Sequence, residues 1–158
     1  MNIKDIIIQT PDVHTDYRGD LWTLWKSVPG QQEFNHDKVS TSRKNVIRGI
    51  HGDFKSFKLV TCLYGELYFV IVDNREHSPT YMQWDSMILD DKNKKQVLLP
   101  PGVGNGFCVL SEHSVFHYKW AYTGEYPDVK DQFTIKWNSL DLNIDWPISN
   151  PILSKRDK

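Results

Sequence analysis

Little in this sequence marks a helical, secreted, membrane-spanning or nucleic-acid-binding protein. Helix signals are scarce: only Asp90–Asn93 and Ser139–Asp141 read as single turns. No apolar run approaches the ~20 residues that span a bilayer. The opening segment has only Ile6–Ile8 as an apolar run, too short for the core of a secretory signal. Two cysteines, Cys62 and Cys108, occur in 158 residues. Each lies inside an apolar run, which predicts free buried thiols in a reducing compartment. An excess of one charge is also lacking. The 19 Lys+Arg against 20 Asp+Glu leave a net charge of −1, without the clustered cations that phosphate-backbone binding needs. These absences predict a cytoplasmic protein with neither nucleic acid nor a membrane as partner. Hydrophobic residues make up 39% of the chain, so it is globular. A chain this long buries roughly 70% of its unfolded surface without a staple. With no linker, repeat or low-complexity tract, 1–158 reads as a single domain.

What is present is period-two alternation. Lys58–Cys62 and Leu67–Val72 are β-rich runs around Tyr64-Gly65-Glu66, which reads as a hairpin. Phe116, Tyr118, Trp120 and Tyr122 alternate with their neighbours and share one strand face. Val97–Leu99 is a short strand stopped by Pro100-Pro101, since proline cannot donate to a ladder. Ile3–Ile8, Leu21–Lys26, Ser40–Ile50 and Thr134–Trp137 also read as strands. Many short strands joined by Gly, Pro and Asp turns predict an all-β fold, a jelly roll of two antiparallel sheets.

Small jelly rolls of the cupin type often hold a metal through two closely spaced histidines, an acid and a third histidine. Here Gly49-Ile50-His51-Gly52-Asp53 offers one histidine. Pro101-Gly102-Val103-Gly104-Asn105 offers an amide where a ligand would stand. One imidazole and one amide do not make a first-row metal site, so no metal is expected.

A longer set of residues carries a resemblance. Arg18-Gly19, Ser40-Thr41-Ser42, Asn45-Val46-Ile47-Arg48-Gly49-Ile50-His51, Lys58-Leu59-Val60 and Gly65-Glu66-Leu67-Tyr68 occur in order. They are followed by Val72-Asp73-Asn74-Arg75, Leu99 through Phe107, Tyr118-Lys119, Asp145-Trp146-Pro147 and Leu153-Ser154-Lys155-Arg156-Asp157. Together these resemble the dTDP-4-dehydrorhamnose 3,5-epimerase family, which acts on nucleotide-diphospho 4-keto-6-deoxy sugars. The resemblance implies a metal-free cupin-type jelly roll, a homodimer, and a place in deoxysugar supply for capsule, lipopolysaccharide or another surface polysaccharide. It also implies roles: His51 as base, Asp157 as its orienting carboxylate, Tyr118 as the acid on the opposite sugar face, and Lys58 beside the enolate. Arg48 and Arg18 match diphosphate-binding groups, Arg18 coming from the partner subunit. Ser42, Asn105, Thr23 and Phe69 match pocket positions. Three of these depart from the family pattern: Asn105 stands for histidine, Phe69 for aspartate and Thr23 for glutamate. The departures leave the nucleotide (dTDP, GDP or CDP) and the sugar (hexose or heptose) open.

The implied chemistry is sound from first principles. A C4 carbonyl acidifies the hydrogens on C3 and C5, so the substrate carries its own electron sink and no cofactor is expected. Histidine's unperturbed pKa of about 6.5 suits a base at working pH. A carboxylate on its second nitrogen fixes the tautomer. Tyrosine delivers a proton without bringing a charge into the pocket. Other readings remain: inversion at C3 only, a 3,4-ketoisomerase, or a non-catalytic nucleotide-sugar-binding cupin. One geometric difficulty also arises. Arg48 and His51 have opposite parity, so a regular strand would point them to opposite faces. Both facing one pocket requires an irregularity near Gly49–Gly52.

Overall fold

Alternating β-formers close into a sandwich. The computed structural model describes residues 3–158. Its strands are β1 (Ile7–Gln9), β2 (Val13–Asp16), β3 (Gly19–Trp22), β4 (His36–Arg43), β5 (Ile47–Gly52) and β6 (Phe57–Tyr64), then β7 (Glu66–Asp73), β8 (Trp84–Asp90), β9 (Gln96–Leu99), β10 (Val103–Val109), β11 (His113–Ala121) and β12 (Phe133–Thr134). One sheet has the order β1-β9-β6-β11-β4 and the other β12-β5-β10-β7-β8, while β2 and β3 form a separate ribbon. All pairings between these strands are antiparallel. This is the expected cupin-type jelly roll. Among the described residues the helical content is one 3-10 turn, Val129–Asp131. The segments Asp90–Asn93 and Ser139–Asp141 turn without forming helix. No helix among the described residues is long and apolar enough to cross a membrane.

The strand period sorts side chains between two apolar layers. Leu67, Phe69 and Ile71 of β7 point between the sheets, where they join Val60 and Phe116 from the facing sheet. Val70 and Val72 point the other way and meet Ile50 and Leu142, with Trp84 and Trp146 packed around them. Segment 135–146 therefore covers the outer face of the second sheet. That is why β7 reads as a continuous apolar run rather than an alternating one. Cys62 and Cys108 are buried free thiols, and burial pushes the Cys62 thiol up to about 12.

Several strand expectations need correction. The hairpin at Tyr64-Gly65-Glu66 does not form, because β6 and β7 lie in opposite sheets. The turn is a corner of the sandwich. Gly65 takes φ +82°, and a Cβ there would lie 2.2 Å from the His113 carbonyl oxygen. Ser40–Ile50 likewise breaks into β4 and β5, on different sheets, with Asn45 at φ 67° between them. Asparagine tolerates that left-handed conformation better than most residues. Ile3–Ile8 shortens to Ile7–Gln9, since Asp5 at φ 67° turns the chain and sends Ile3 into the core. Leu21–Lys26 ends as a strand at Trp22, and Thr134–Trp137 is reduced to Phe133–Thr134.

The end of β7 is tied by Asp73. Its Oδ1 accepts from Arg75 Nε at 2.8 Å, and its Oδ2 accepts from Ser78 Oγ and Thr80 Oγ1, each at 2.6 Å. Burial raises the carboxyl's pKa, but these hydrogen bonds outweigh it and hold the group well below the usual range. A depressed folded pKa stabilises above the unfolded value of about 3.9 and loses that contribution as pH falls. Asp73→Asn is therefore expected to cost on the order of 3 kcal/mol at neutral pH. Denaturant melts should show that cost shrinking steadily below about pH 4.

Candidate active site

A bulge in β5 builds the first wall. His51 pairs with Asn105 and Arg48 with Phe107, so Gly49 and Ile50 together stand opposite Gly106. The extra residue reverses parity, and both Arg48 and His51 line one cavity. The irregularity required near Gly49–Gly52 is present. Gly49 adopts φ +105°, and a Cβ there would sit 2.6 Å from the Asn105 carbonyl oxygen.

His51 Nε2 lies 2.6 Å from Asp157 Oδ1. The second carboxylate oxygen, Oδ2, accepts from Ser154 Oγ at 2.7 Å. Burial raises the Asp157 pKa, but hydrogen bonds from His51 and Ser154 outweigh it and keep the carboxyl below its ordinary value. An ionised carboxylate only accepts, so Nε2 carries the hydrogen and Nδ1 keeps the lone pair. Nδ1 is thus the nitrogen able to take a proton. A residue so near the chain end would ordinarily fray. Here Ile152 N donates to the Asn45 carbonyl at 2.8 Å, and Ile47 N to the Ile152 carbonyl at 3.1 Å. The tail is pinned by backbone bonds beside β5, while the Ile152 side chain itself stays exposed.

The facing sheet supplies the other wall. Phe116, Tyr118 and Trp120 of β11 form the expected aromatic ladder, with ring centroids 5.6 and 6.1 Å apart. The Tyr118 hydroxyl makes no hydrogen bond to the described residues and opens into the cavity. Burial raises its pKa, partly offset by the cations Lys38 and Arg48. The phenol is therefore protonated at neutral pH, as a proton donor must be. Lys58 on β6 is nearly fully buried. Its Nζ lies 3.4 Å from Asp53 Oδ2 and 4.4 Å from the centre of the Trp120 ring.

The cavity, about 260 Å³, also admits Asn105. Arg48 reaches its edge with Nε donating to Ser42 Oγ at 2.9 Å. Ser42 thus holds Arg48 rather than lining the space. Three expected pocket residues are not brought there by this chain. Phe69 is fully buried between the sheets, 6.0 Å from Phe116. A buried phenylalanine contributes roughly 3–5 kcal/mol, which explains Phe69 without a ligand. Arg18 sits at the exposed tip of the β2–β3 ribbon, paired with Asp16 at 2.6 Å, and Thr23 follows that ribbon.

The cavity contains residues that the sequence did not single out. Lys38, directly across from Tyr118 in the β4–β11 register, donates to the Tyr126 hydroxyl. Arg156 reaches Gln132 Oε1 at 3.1 Å and Thr134 Oγ1 at 2.9 Å, tying the tail to the wall that carries the 3-10 turn. The alternation of β4 carries a signal for Lys38, since Lys38, Ser40 and Ser42 share a parity. Nothing local marks Tyr126 or Gln132. Among the described residues no group of three or more His, Cys, Asp or Glu is placed to hold a metal ion.

Comparison with known proteins points to one family. The family profile described as dTDP-4-dehydrorhamnose 3,5-epimerase matches residues 1–158. The Shigella flexneri dTDP-4-dehydrorhamnose 3,5-epimerase is 37% identical over 164 residues, covering 98% of this chain and 89% of that protein. The crystal structure of the Bacillus anthracis dTDP-4-dehydrorhamnose 3,5-epimerase with TDP and PPi bound superposes with a TM-score of 0.91 at 33% identity, covering 99% of this chain and 93% of that one. The Legionella pneumophila dTDP-6-deoxy-D-glucose-3,5-epimerase, in complex with dTDP-4-keto-L-rhamnose, gives 0.89 at 34% identity, covering 99% and 87%.

Proposed function

The chain belongs to the dTDP-4-dehydrorhamnose 3,5-epimerase family, and from that premise we propose that it inverts C3 and C5 of dTDP-4-keto-6-deoxyglucose using His51, Asp157, Tyr118 and Lys58. It is an isomerase acting on a sugar nucleotide. His51 Nδ1 removes the proton next to the C4 carbonyl, and the electron pair moves onto O4. Asp157 holds the imidazole and stabilises the imidazolium that results. Lys58 offsets the negative charge on O4; a donor of this kind contributes about 3–4 kcal/mol. Tyr118 returns a proton to the carbon from the opposite face, which inverts the centre. Imidazolium and tyrosinate then exchange with solvent and reset. The observation that carries this reading is the pair of His51 on one sheet with Asp157 of the tail, opposite the Tyr118 hydroxyl on the facing sheet, which has no partner among the described residues.

Arg48 and Asn105 bind the diphosphate-sugar in this reading. Arg18 and Thr23 belong to a second copy's site, which makes the enzyme a homodimer. Supporting that are the ribbon's exposed Tyr17 and Leu21, 97% and 71% accessible, and the unpaired edge of β1 with exposed Ile7 and Ile8. We read 1–158 as one catalytic domain working in the cytoplasm, in keeping with its two free thiols.

The test is incubation with dTDP-4-keto-6-deoxyglucose in deuterated water, followed by NMR and mass spectrometry. One deuteron at C3 and one at C5 are expected. Label at C3 alone would reduce the activity to a single inversion, and no label with any nucleotide sugar would leave only a binding protein.

A further inference from the structure

Lys58 and Asp53 are buried together, with 5% and 2% of their surfaces accessible. Asp53 lies in the loop between β5 and β6, and its two carboxylate oxygens have separate tasks. Oδ1 accepts from the backbone N–H groups of Lys55 and Ser56, at 2.9 and 2.6 Å, and so closes the loop. Oδ2 has no hydrogen-bond donor in the loop and lies 3.4 Å from Lys58 Nζ. The Trp120 ring borders the same ammonium at 4.4 Å. A single acceptor oxygen suffices to close such a loop, as serine or asparagine does elsewhere. The loop therefore does not explain the second carboxylate oxygen in a buried place.

We propose that Asp53 is a positioning residue of this epimerase: its Oδ2 holds the Lys58 ammonium against the Trp120 face and balances its charge, so that a cation is in place when O4 turns negative. The proposal rests on the reading of Lys58 as the partner of O4. A buried ammonium without a counter-charge loses its proton rather than remain charged. Burial does push Lys58 down from its ordinary pKa, Asp53 opposes this, and Arg156 from the tail adds to the fall. The other titratable and charged groups around the cavity are Arg48 and His51 on β5, Tyr118 on β11, Lys38 on β4, and Asp157, Tyr126 and Asp128. Position 69 of β7 supplies no carboxylate, being phenylalanine. Asp53 is the acid in contact with the ammonium.

Asp53→Asn keeps the loop-closing oxygen and replaces the charged acceptor beside Lys58 with an amide NH2 group. Its rate of deuterium exchange should fall progressively against wild type as pH rises, because Lys58 without its counter-charge gives up its proton more readily. The basic limb of the rate profile should move at least about one pH unit toward acid, so that the rate near pH 9 falls about tenfold. In a Lys58→Met background, adding Asp53→Asn should change neither rate nor profile. Should Asp53→Asn lower the unfolding midpoint appreciably, Asp53→Ser, which also closes the loop, takes its place in the same measurements. A loss that is uniform across pH, or a limb that does not move, would overturn the proposal. A wild type that exchanges nothing would overturn the epimerase reading and this one with it. An active wild type with an unshifted Asp53→Asn overturns this one alone.

Discussion

His51→Asn is expected to lower turnover by about a thousandfold or more while leaving the fold intact. Asparagine is too short to reach Asp157 Oδ1 in place of Nε2, but the carboxylate keeps the hydrogen bond that Ser154 Oγ donates to Oδ2. What disappears is the one nitrogen with a free lone pair facing the cavity. Neighbouring groups do not replace it. Lys58 and Lys38 are set beside Asp53 and Tyr126, Arg48 and Arg156 are cations, the Asp157 carboxylate is held by Ser154, and Asp128 caps the 3-10 turn. His51 lines the open cavity rather than the core, so the smaller side chain leaves no buried hole and the thermal midpoint should move by only a few degrees. Solvent exchange at C3 and C5, measured beside a melting curve, decides the matter. Exchange that survives within about tenfold of wild type would remove His51 from the role of base.

The second large effect concerns the tail. Removing residues 154–158 should cut turnover by about two to four orders of magnitude but cost only about 1–2 kcal/mol of stability. The asymmetry follows from where the bonds lie. Ile152 keeps its backbone pairing with Asn45 and Ile47, so the chain stays docked beside β5. The truncation takes away Asp157, the Ser154 hydroxyl that holds it, and the Arg156 bonds to Gln132 and Thr134. His51 is then free to turn over and to adopt either tautomer. Asp157→Asn separates the contributions, since an amide in that place can present its NH2 group to Nε2 and favour the wrong tautomer. If this single change reproduces most of the kinetic loss, the tail acts through the imidazole. If the truncated protein unfolds at much lower denaturant than wild type, the tail is structural instead.

The sandwich itself could be read from alternation and turn residues, because the two faces of a strand see different surroundings along its whole length. Connections between strands were less legible. Gly65 between two apolar runs signals a tight turn, but whether the runs pair or part depends on Ser111 and His113, which lie nearly fifty positions away. The same limit hid the corner at Asn45. Within the cavity, His51, Lys58, Tyr118 and Asn105 were visible through their resemblance to a known pattern, and the parity conflict between Arg48 and His51 foretold the bulge. Phe69 matches a pocket position only by resemblance, and its side chain fills the core between the sheets. Lys38, Tyr126 and Arg156 escaped notice because each acts through a partner remote in sequence.

The doubled step at Gly49 and Ile50 has a consequence for how such a chain can vary. Neither residue carries chemistry, and a scan of substitutions aimed at reactive groups would pass over both. Yet the orientation of the imidazole depends on how many residues separate it from Arg48, and dropping one would swing it through the sheet to the outer surface. Insertions and deletions here are governed by counting, odd against even. A lineage that changed the tally would have to recruit its proton acceptor from a different strand.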